Sequence, residues 1–162
     1  MSERAGEELS LDAPPRYEPL RKLGSGGGGE VWEVRCRLTN ARLALKVIGE
    51  RSGQREMEAL VREVAALSGL EGLGLPRILR LGKLPQTGRA YVLRELVEGS
   101  PLDVIAFDSP KLAMSLLAEI AEQLTILHRA GVLHGDIKPA NIIANERGAV
   151  TLVDFGLAAP WK

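Results

Sequence analysis

The sequence predicts an α+β chain with a strand-rich first half and a helical second half. Three observations carry this reading. Short apolar or alternating runs bounded by glycine and turn residues flank the glycine-rich stretch 24–29, end on Lys46, and cover 78–84 and 90–96. A helical repeat at about 100° per residue occupies 53–68. A second helical repeat starts at Ser109-Pro110 and stops at Gly131.

Taken in order, residues 1–16 are charged, carry Pro14 and Pro15 and have no sustained periodicity, so they read as a flexible leader. Strands then flank a glycine-rich stretch, and a third strand ends on Lys46. The helix over 53–68 aligns Met57, Leu60, Val61, Val64 and Leu67 on one stripe, with Glu63 at its margin. Pro85-Gln86-Thr87-Gly88 is a turn between the next two strands. Beyond Glu98-Gly99, Ser109 is placed as an N-cap with Pro110 at the first helical position. Leu116, Ile120, Leu124 and Leu127 follow at near i, i+4 spacing, and His128 beside them reads as a core histidine. Asn145-Glu146-Arg147-Gly148 turns one short strand into another, which sets Asn141 and Asp154 at facing ends.

Composition bounds the setting. The chain has 162 residues, 21 Lys+Arg against 21 Asp+Glu, and 45% hydrophobic residues, as expected of about one soluble globular domain. Zero net charge gives no global reason to expect nucleic acid or an acidic membrane surface as partner. Cys36 is the only cysteine, which excludes an intrachain disulfide and leaves a small buried thiol as its reading. No apolar stretch is long enough to span a membrane, and Met1-Ser2-Glu3-Arg4 does not begin a signal peptide, so a cytoplasmic location is expected.

Chemistry-bearing residues concentrate in His134-Gly135-Asp136-Ile137-Lys138-Pro139-Ala140-Asn141 and in Asp154-Phe155-Gly156. Phosphoryl transfer from a magnesium nucleotide needs a carboxylate for the acceptor hydroxyl, a cation for the moving phosphate and oxygen ligands for the metal. Asp136 fits the first need, Lys138 the second, and Asn141 with Asp154 the third. Upstream, Leu23-Gly24-Ser25-Gly26-Gly27-Gly28-Gly29-Glu30-Val31 contains G-x-G-x-x-G-x-V, carried by Gly24, Gly26, Gly29 and Val31. Without Cβ atoms such a turn can fold over phosphates and offer them bare N–H groups. Four consecutive glycines also fit a flexible linker. Ala44-Leu45-Lys46 favours the first reading, because a lysine ending an apolar run needs an anionic partner. Glu63 is the natural protein partner.

In this order and separation the segments resemble a eukaryotic-type Ser/Thr protein kinase of the bacterial, non-RD kind. The resemblance covers 17–162 and implies a protein-kinase-like two-lobed fold, with a complete β-rich N-lobe over about 17–97 and an incomplete helical C-lobe from about 100. It implies ATP and Mg2+ as cofactors and Ser or Thr of a protein as acceptor. By resemblance, Leu23, Gly24, Ser25, Gly26, Gly27, Gly28, Gly29, Val31, Ala44 and Lys46 contact the nucleotide, and the base bonds to the carbonyl of Glu95 and the N–H of Val97. Lys46 held by Glu63 orients the α- and β-phosphates. His134 organises the catalytic loop by stacking with Phe155 and Leu67.

Four departures accompany the resemblance. Arg94 stands at the gatekeeper position, where an apolar or small residue is usual, and its guanidinium must find a carboxylate such as Glu63 or turn to water. Gly135 replaces the arginine that in many kinases grips an activation-loop phosphate, so activation by loop phosphorylation is not expected. Gly28 removes an apolar cap from the loop tip. Finally, Trp161-Lys162 lie a few residues past Asp154-Phe155-Gly156, whereas the resemblance places the activation segment and most of the helical lobe after that point. The expectation is therefore a fragment inactive alone, with a partly uncovered apolar face on the helix ending at Gly131, open to a partner or segment that completes the lobe. Two other readings compete: a small-molecule kinase of the aminoglycoside-phosphotransferase type, which shares H-G-D and the asparagine but usually lacks the lysine found here at Lys138, and a non-catalytic nucleotide-binding pseudokinase or scaffold.

Overall fold

In the computed structural model, which describes residues 11–26, 29–49, 53–106 and 109–161, the strand-forming stretches of the first half pair into one antiparallel sheet. Its strands are β1 (Tyr17–Gly26), β2 (Gly29–Cys36), β3 (Arg42–Val47), β4 (Ile78–Lys83) and β5 (Ala90–Glu95), in the order β1-β2-β3-β5-β4. Because side chains alternate across a strand, the register divides the sheet into two faces. One carries Trp32, Leu45 and Leu93 in one row, with Val34, Val47, Tyr91, Tyr17, Cys36 and Leu84 around them, and it forms the apolar core of this unit. The other face carries Val31 opposite Lys46, Lys46 opposite Val92, and Ala44 between Glu33 and Arg94.

Residues 11–16, the end of the stretch expected as a loose leader, carry contacts of their own. Leu11 packs on the apolar core, and the Asp12 carboxylate accepts from the N–H groups of Gln86 at 2.6 Å and Thr87 at 2.8 Å. Composition gave no sign of this, since the partner groups belong to a turn more than seventy residues away. Cys36 is buried among apolar neighbours, as its reading as a small hydrophobe implied.

Helix α1 (Gln54–Leu67) starts with the Gly53 N–H bonded to Glu56 Oε2 at 2.8 Å, a side-chain cap for an otherwise unpaired donor. Its buried residues are Leu60, Glu63 and Leu67, whereas Met57 and Val61 are exposed. The inward face is thus turned toward Glu63 and away from the centre of the apolar stripe. Periodicity locates the stripe but cannot register a polar residue that the fold needs inside.

The described residues divide into two compact units, one ending at Met57 and taking in Ile78–Leu96, the other formed by Glu58–Arg77 and by the chain from Val97 onward. In the second unit, α2 (Pro110–Arg129) begins with Ser109 Oγ accepting from Leu112 N at 3.2 Å and ends where Gly131, at φ 76°, donates to the His128 carbonyl. Only Leu116 and Leu127 of α2 are buried, Ile120 and Leu124 are half-buried, and Leu112, Met114 and Leu117 are exposed. Five short strands accompany it, of which β6 (Ser100–Pro101) pairs with β8 (Ile142–Ala144) and β8 with β9 (Val150–Leu152). The remaining two, β7 (Val132–Leu133) and β10 (Ala159–Pro160), pair with each other. Periodicity did not signal β6, β7 or β10, because two residues carry no repeat. His128 is half-buried rather than a core residue; its ring stacks on Trp161 at 4.6 Å between centroids.

Gly29 shows what the first unit demands of the glycine-rich stretch. It has φ +120°, and a Cβ there would lie 2.0 Å from the Val47 carbonyl oxygen, whereas one on Gly24 or Gly26 would meet nothing within 4 Å. Gly29→Ala should therefore cost at least about 2 kcal/mol of stability, from backbone strain and steric displacement together. Gly26→Ala should be close to neutral. Thermal melts of the two variants against the parent check this, and equal melting temperatures for Gly29→Ala and Gly26→Ala would contradict the packing role of Gly29.

Candidate active site

The second unit assembles the catalytic-loop residues around one carboxylate. A turn of 3-10 helix, Pro139–Asn141, opens with proline, whose missing N–H is not needed at that position, and brings Asn141 back toward Asp136. Asp136 Oδ2 accepts from Lys138 Nζ at 2.7 Å and from Asn141 Nδ2 at 2.9 Å. Asn141 Nδ2 also donates to the Asp136 carbonyl at 2.9 Å. Both partners of that nitrogen are acceptors, which fixes the amide orientation and makes Asn141 Oδ1 a neutral oxygen donor. Lys138 is half exposed, and the bond to Asp136 raises its pKa, so it stays cationic at neutral pH.

Asp154 is carried into the same unit by the hairpin β8–β9. Asn145 Oδ1 accepts from the N–H groups of Arg147 and Ala149 at 3.0 and 3.1 Å, which closes the turn. The Val153 N–H then donates to the Asn141 carbonyl at 3.0 Å, so Asn141 and the residue before Asp154 are directly joined. Asp154 has φ 65°, a left-handed conformation that is uncommon outside glycine. Asn141 Oδ1 and the Asp154 carboxylate are hard oxygen donors, the type Mg2+ takes, and magnesium is commonly held by one or two carboxylates with phosphate and water completing the set. The donor chemistry fits that metal.

His134 is buried and tied at both nitrogens: Nδ1 accepts from the Asp136 N–H at 3.3 Å and Nε2 lies 3.1 Å from the Val153 carbonyl. These partners require the neutral ring with its proton on Nε2. Burial lowers its pKa from the usual value, in the same sense. The ring packs on Phe155 at 4.6 Å between centroids, tilted by 48°, and Phe155 and Leu67 are both buried in this unit.

The first unit holds a second group of the expected residues. Lys46 is half-buried beside Val31 and Val92, and Ala44 is buried between Glu33 and Arg94 on the same sheet face. Leu23, Gly24, Ser25 and Gly26 lie exposed at the end of β1. Gly27 and Gly28 fall outside the described residues. Glu95 ends β5, Val97 opens the second unit, and both are half-buried. Glu63 belongs to the second unit and is fully buried, unlike Glu56 and Glu58 on the same helix. Arg94 is buried, so of the two fates open to its guanidinium the turn to water is not taken.

Two features escaped the reading of the sequence. Glu33 is buried on the face of Ala44 and Lys46, where Arg42 and Arg21 bond its two oxygens and hold its pKa below the usual carboxylate value, the Arg42 bond contributing most. Strand alternation placed it opposite Ala44 and could have shown it. Arg62 donates from Nε to the Gly156 carbonyl at 2.9 Å across 94 residues of sequence, for which no local signal exists. A cavity of about 910 Å³ in the second unit, lined by Glu98, Leu112, Leu116, Asn145 and Arg147 among others, contains none of the expected site residues.

Gly135 has a steric reason to be glycine. It sits at φ +81°, and a Cβ would lie 2.2 Å from the Leu157 carbonyl oxygen. Installing the arginine common at this position should not recover a phosphate-responsive enzyme. Gly135→Arg should instead lose at least about 2 kcal/mol, and Gly135→Ala nearly as much, because the conflict is at the first side-chain carbon. Urea unfolding checks this, and parental midpoints for both variants would contradict it.

A family model described as protein kinase domain matches residues 17–162. The chain is 32% identical over 149 residues to a probable serine/threonine-protein kinase of Clostridium perfringens, covering 88% of this chain and 22% of that protein. It is 34% identical over 167 aligned positions to the serine/threonine-protein kinase PknA of Mycobacterium tuberculosis, covering 98% of this chain and 38% of PknA. A DNA damage-responsive serine/threonine-protein kinase, RqkA of Deinococcus radiodurans, is 32% identical over 149 residues, with 89% and 22% covered. The chain therefore spans between about a fifth and two fifths of these relatives. The family-model match extends over nearly the whole chain, and the chain belongs to the protein kinase family.

Proposed function

We propose that this chain supplies the nucleotide-binding and catalytic-loop parts of a kinase that transfers the γ-phosphoryl group of ATP to Ser or Thr of proteins. The observation that carries the reading is the Asp136 carboxylate held jointly by Lys138 and Asn141. The names of the relatives support the acceptor class.

In this reading Asp136 accepts the proton of the Ser or Thr hydroxyl as its oxygen attacks the γ-phosphorus and ADP departs. Lys138, cationic and already beside Asp136, steadies the charge on the transferred group. Asn141 Oδ1 and Asp154 hold the metal, whose contribution when bound is to neutralise charge on the β- and γ-phosphates. Leu23, Gly24, Ser25, Gly26, Gly27, Gly28, Gly29 and Val31 cover the phosphates, Lys46 with Glu63 orients them, and Ala44, Glu95 and Val97 take the base. His134 holds the loop backbone and moves no proton.

Binding tests the assignments directly. Magnesium ATP should raise the melting temperature of the chain by mass action, the rise should require magnesium, and Lys46→Met and Asp154→Ala should each reduce it. Asp136→Asn should keep it, because that carboxylate acts on the acceptor. An unchanged rise in both Lys46→Met and Asp154→Ala would overturn the site. With the chain joined to a full helical lobe, labelled γ-phosphate should appear on a casein-like protein and not on an aminoglycoside. Label on the aminoglycoside alone would overturn the acceptor class.

A further inference from the structure

Among the described residues only two that are not glycine have positive φ, Asn40 and Asp154. Asn40 sits in a turn between strands, where asparagine tolerates that conformation. Asp154 does not sit in such a turn. A left-handed residue of this kind persists where neighbouring contacts over-determine it, so those contacts identify the parts that hold Asp154 in place.

On its N-terminal side the Val153 N–H is bonded to the Asn141 carbonyl, and after it Phe155 is fully buried against His134. On the C-terminal side Ala158 N donates to the Phe155 carbonyl at 2.9 Å, closing a turn around Gly156. This turn rests on one turn of helix α1. A Cβ on Gly156 would lie 3.3 Å from the Ala59 methyl, and Arg62 donates to the Gly156 carbonyl at 2.9 Å. Arg62 also lies 3.8 Å from Glu58, one helical turn back, which keeps the guanidinium along the helix. Arg62 directly precedes the fully buried Glu63, so the rotation of α1 that buries Glu63 also aims Arg62 at the D-F-G turn.

We infer that Arg62 is a positioning residue for Asp154: by bonding the Gly156 carbonyl it clamps the D-F-G turn to α1 and keeps Asp154 in the backbone conformation from which it serves the metal. This rests on the reading of Asp154 as a magnesium ligand. Simple electrostatics makes the opposite forecast, since a cation near a metal site weakens metal binding and its removal should strengthen it.

The sign of the effect decides between them. With a non-hydrolysable ATP analogue held at saturation, magnesium is titrated into the 162-residue chain and the melting temperature read at each concentration. Arg62→Ala should need about tenfold more magnesium for half the shift, the loss usual when an outer partner of a metal ligand is removed. Arg62→Lys, which keeps a donor, should fall between. An Arg62→Ala half-saturation equal to or below the parent's would overturn the inference. Amide hydrogen exchange without ligands is the second readout, also open to Arg62→Gln should the alanine variant fold poorly. The Ala158 amide, bonded to the Phe155 carbonyl, should exchange faster in the variants while α2 is unchanged; unaltered exchange there overturns the clamp even if Asp154 binds metal. A parent chain with no magnesium-dependent shift would remove the reading of Asp154, and the inference with it.

Discussion

The arrangement of the second unit depends on one buried imidazole. His134 is anchored at Nδ1 by the Asp136 amide and at Nε2 by the Val153 carbonyl, and its face is closed by Phe155. The catalytic loop and the strand leading to Asp154 are therefore held by opposite edges of the same ring. Neither edge can be released cheaply, because a buried polar group left without its partner costs about 1–3 kcal/mol. Asp136, Lys138 and Asn141 then need only short-range bonds to complete their cluster, and Asp154 inherits its place from Val153.

Close backbone approaches set the remaining constraints. Gly29 lets the start of β2 press on the Val47 carbonyl, next to Lys46, and Gly135 lets the Leu157 carbonyl lie over the loop that carries Asp136. At both positions backbone occupies the place of a side chain, so packing alone requires glycine there. A Cβ on Gly24 or Gly26 would meet nothing within 4 Å, so the packing constraint among the motif glycines falls on Gly29 and not on those two. Polar burial adds a second layer. Glu63 and Glu33 are buried on different units, and charged groups are buried only where partners hold them.

Much of this was legible in the sequence for physical reasons that can be named. The strand runs and the caps Ser109 and Gly131 are local signals, and β4, β5 and α2 lie within a residue or two of where they were read. The identities of Asp136, Lys138 and Asn141 were legible because a loop of six residues closing through one proline-initiated turn leaves their side chains few ways to miss one another. The rotation of α1 was not, since Met57 and Val61 are as apolar as Leu60, and which of them is covered is set by tertiary packing that leaves no local signal. The docking of Asp12 on Gln86 and Thr87 and of Arg62 on Gly156 was equally hidden, because side-chain bonds to distant backbone leave no periodicity. Strands of two residues, such as β7 and β10, are defined by their partner alone.

The claim that His134 joins loop and strand as a neutral ring is tested most directly by nitrogen-15 NMR of the imidazoles, which the presence of just two histidines makes simple to assign. Burial lowers the pKa of His134, so the folded chain resists binding the proton that the unfolded chain takes up. The stability this joint contributes is then complete above about pH 6.5 and is lost as pH falls below that value toward the lower folded pKa. The account predicts a ring protonated on Nε2 alone at neutral pH, with titration displaced below about 6.5 and accompanied by loosening of the Asp136 and Val153 amides. A ring that carries its proton on Nδ1, or that titrates at or above the usual value without disturbing those amides, would contradict it.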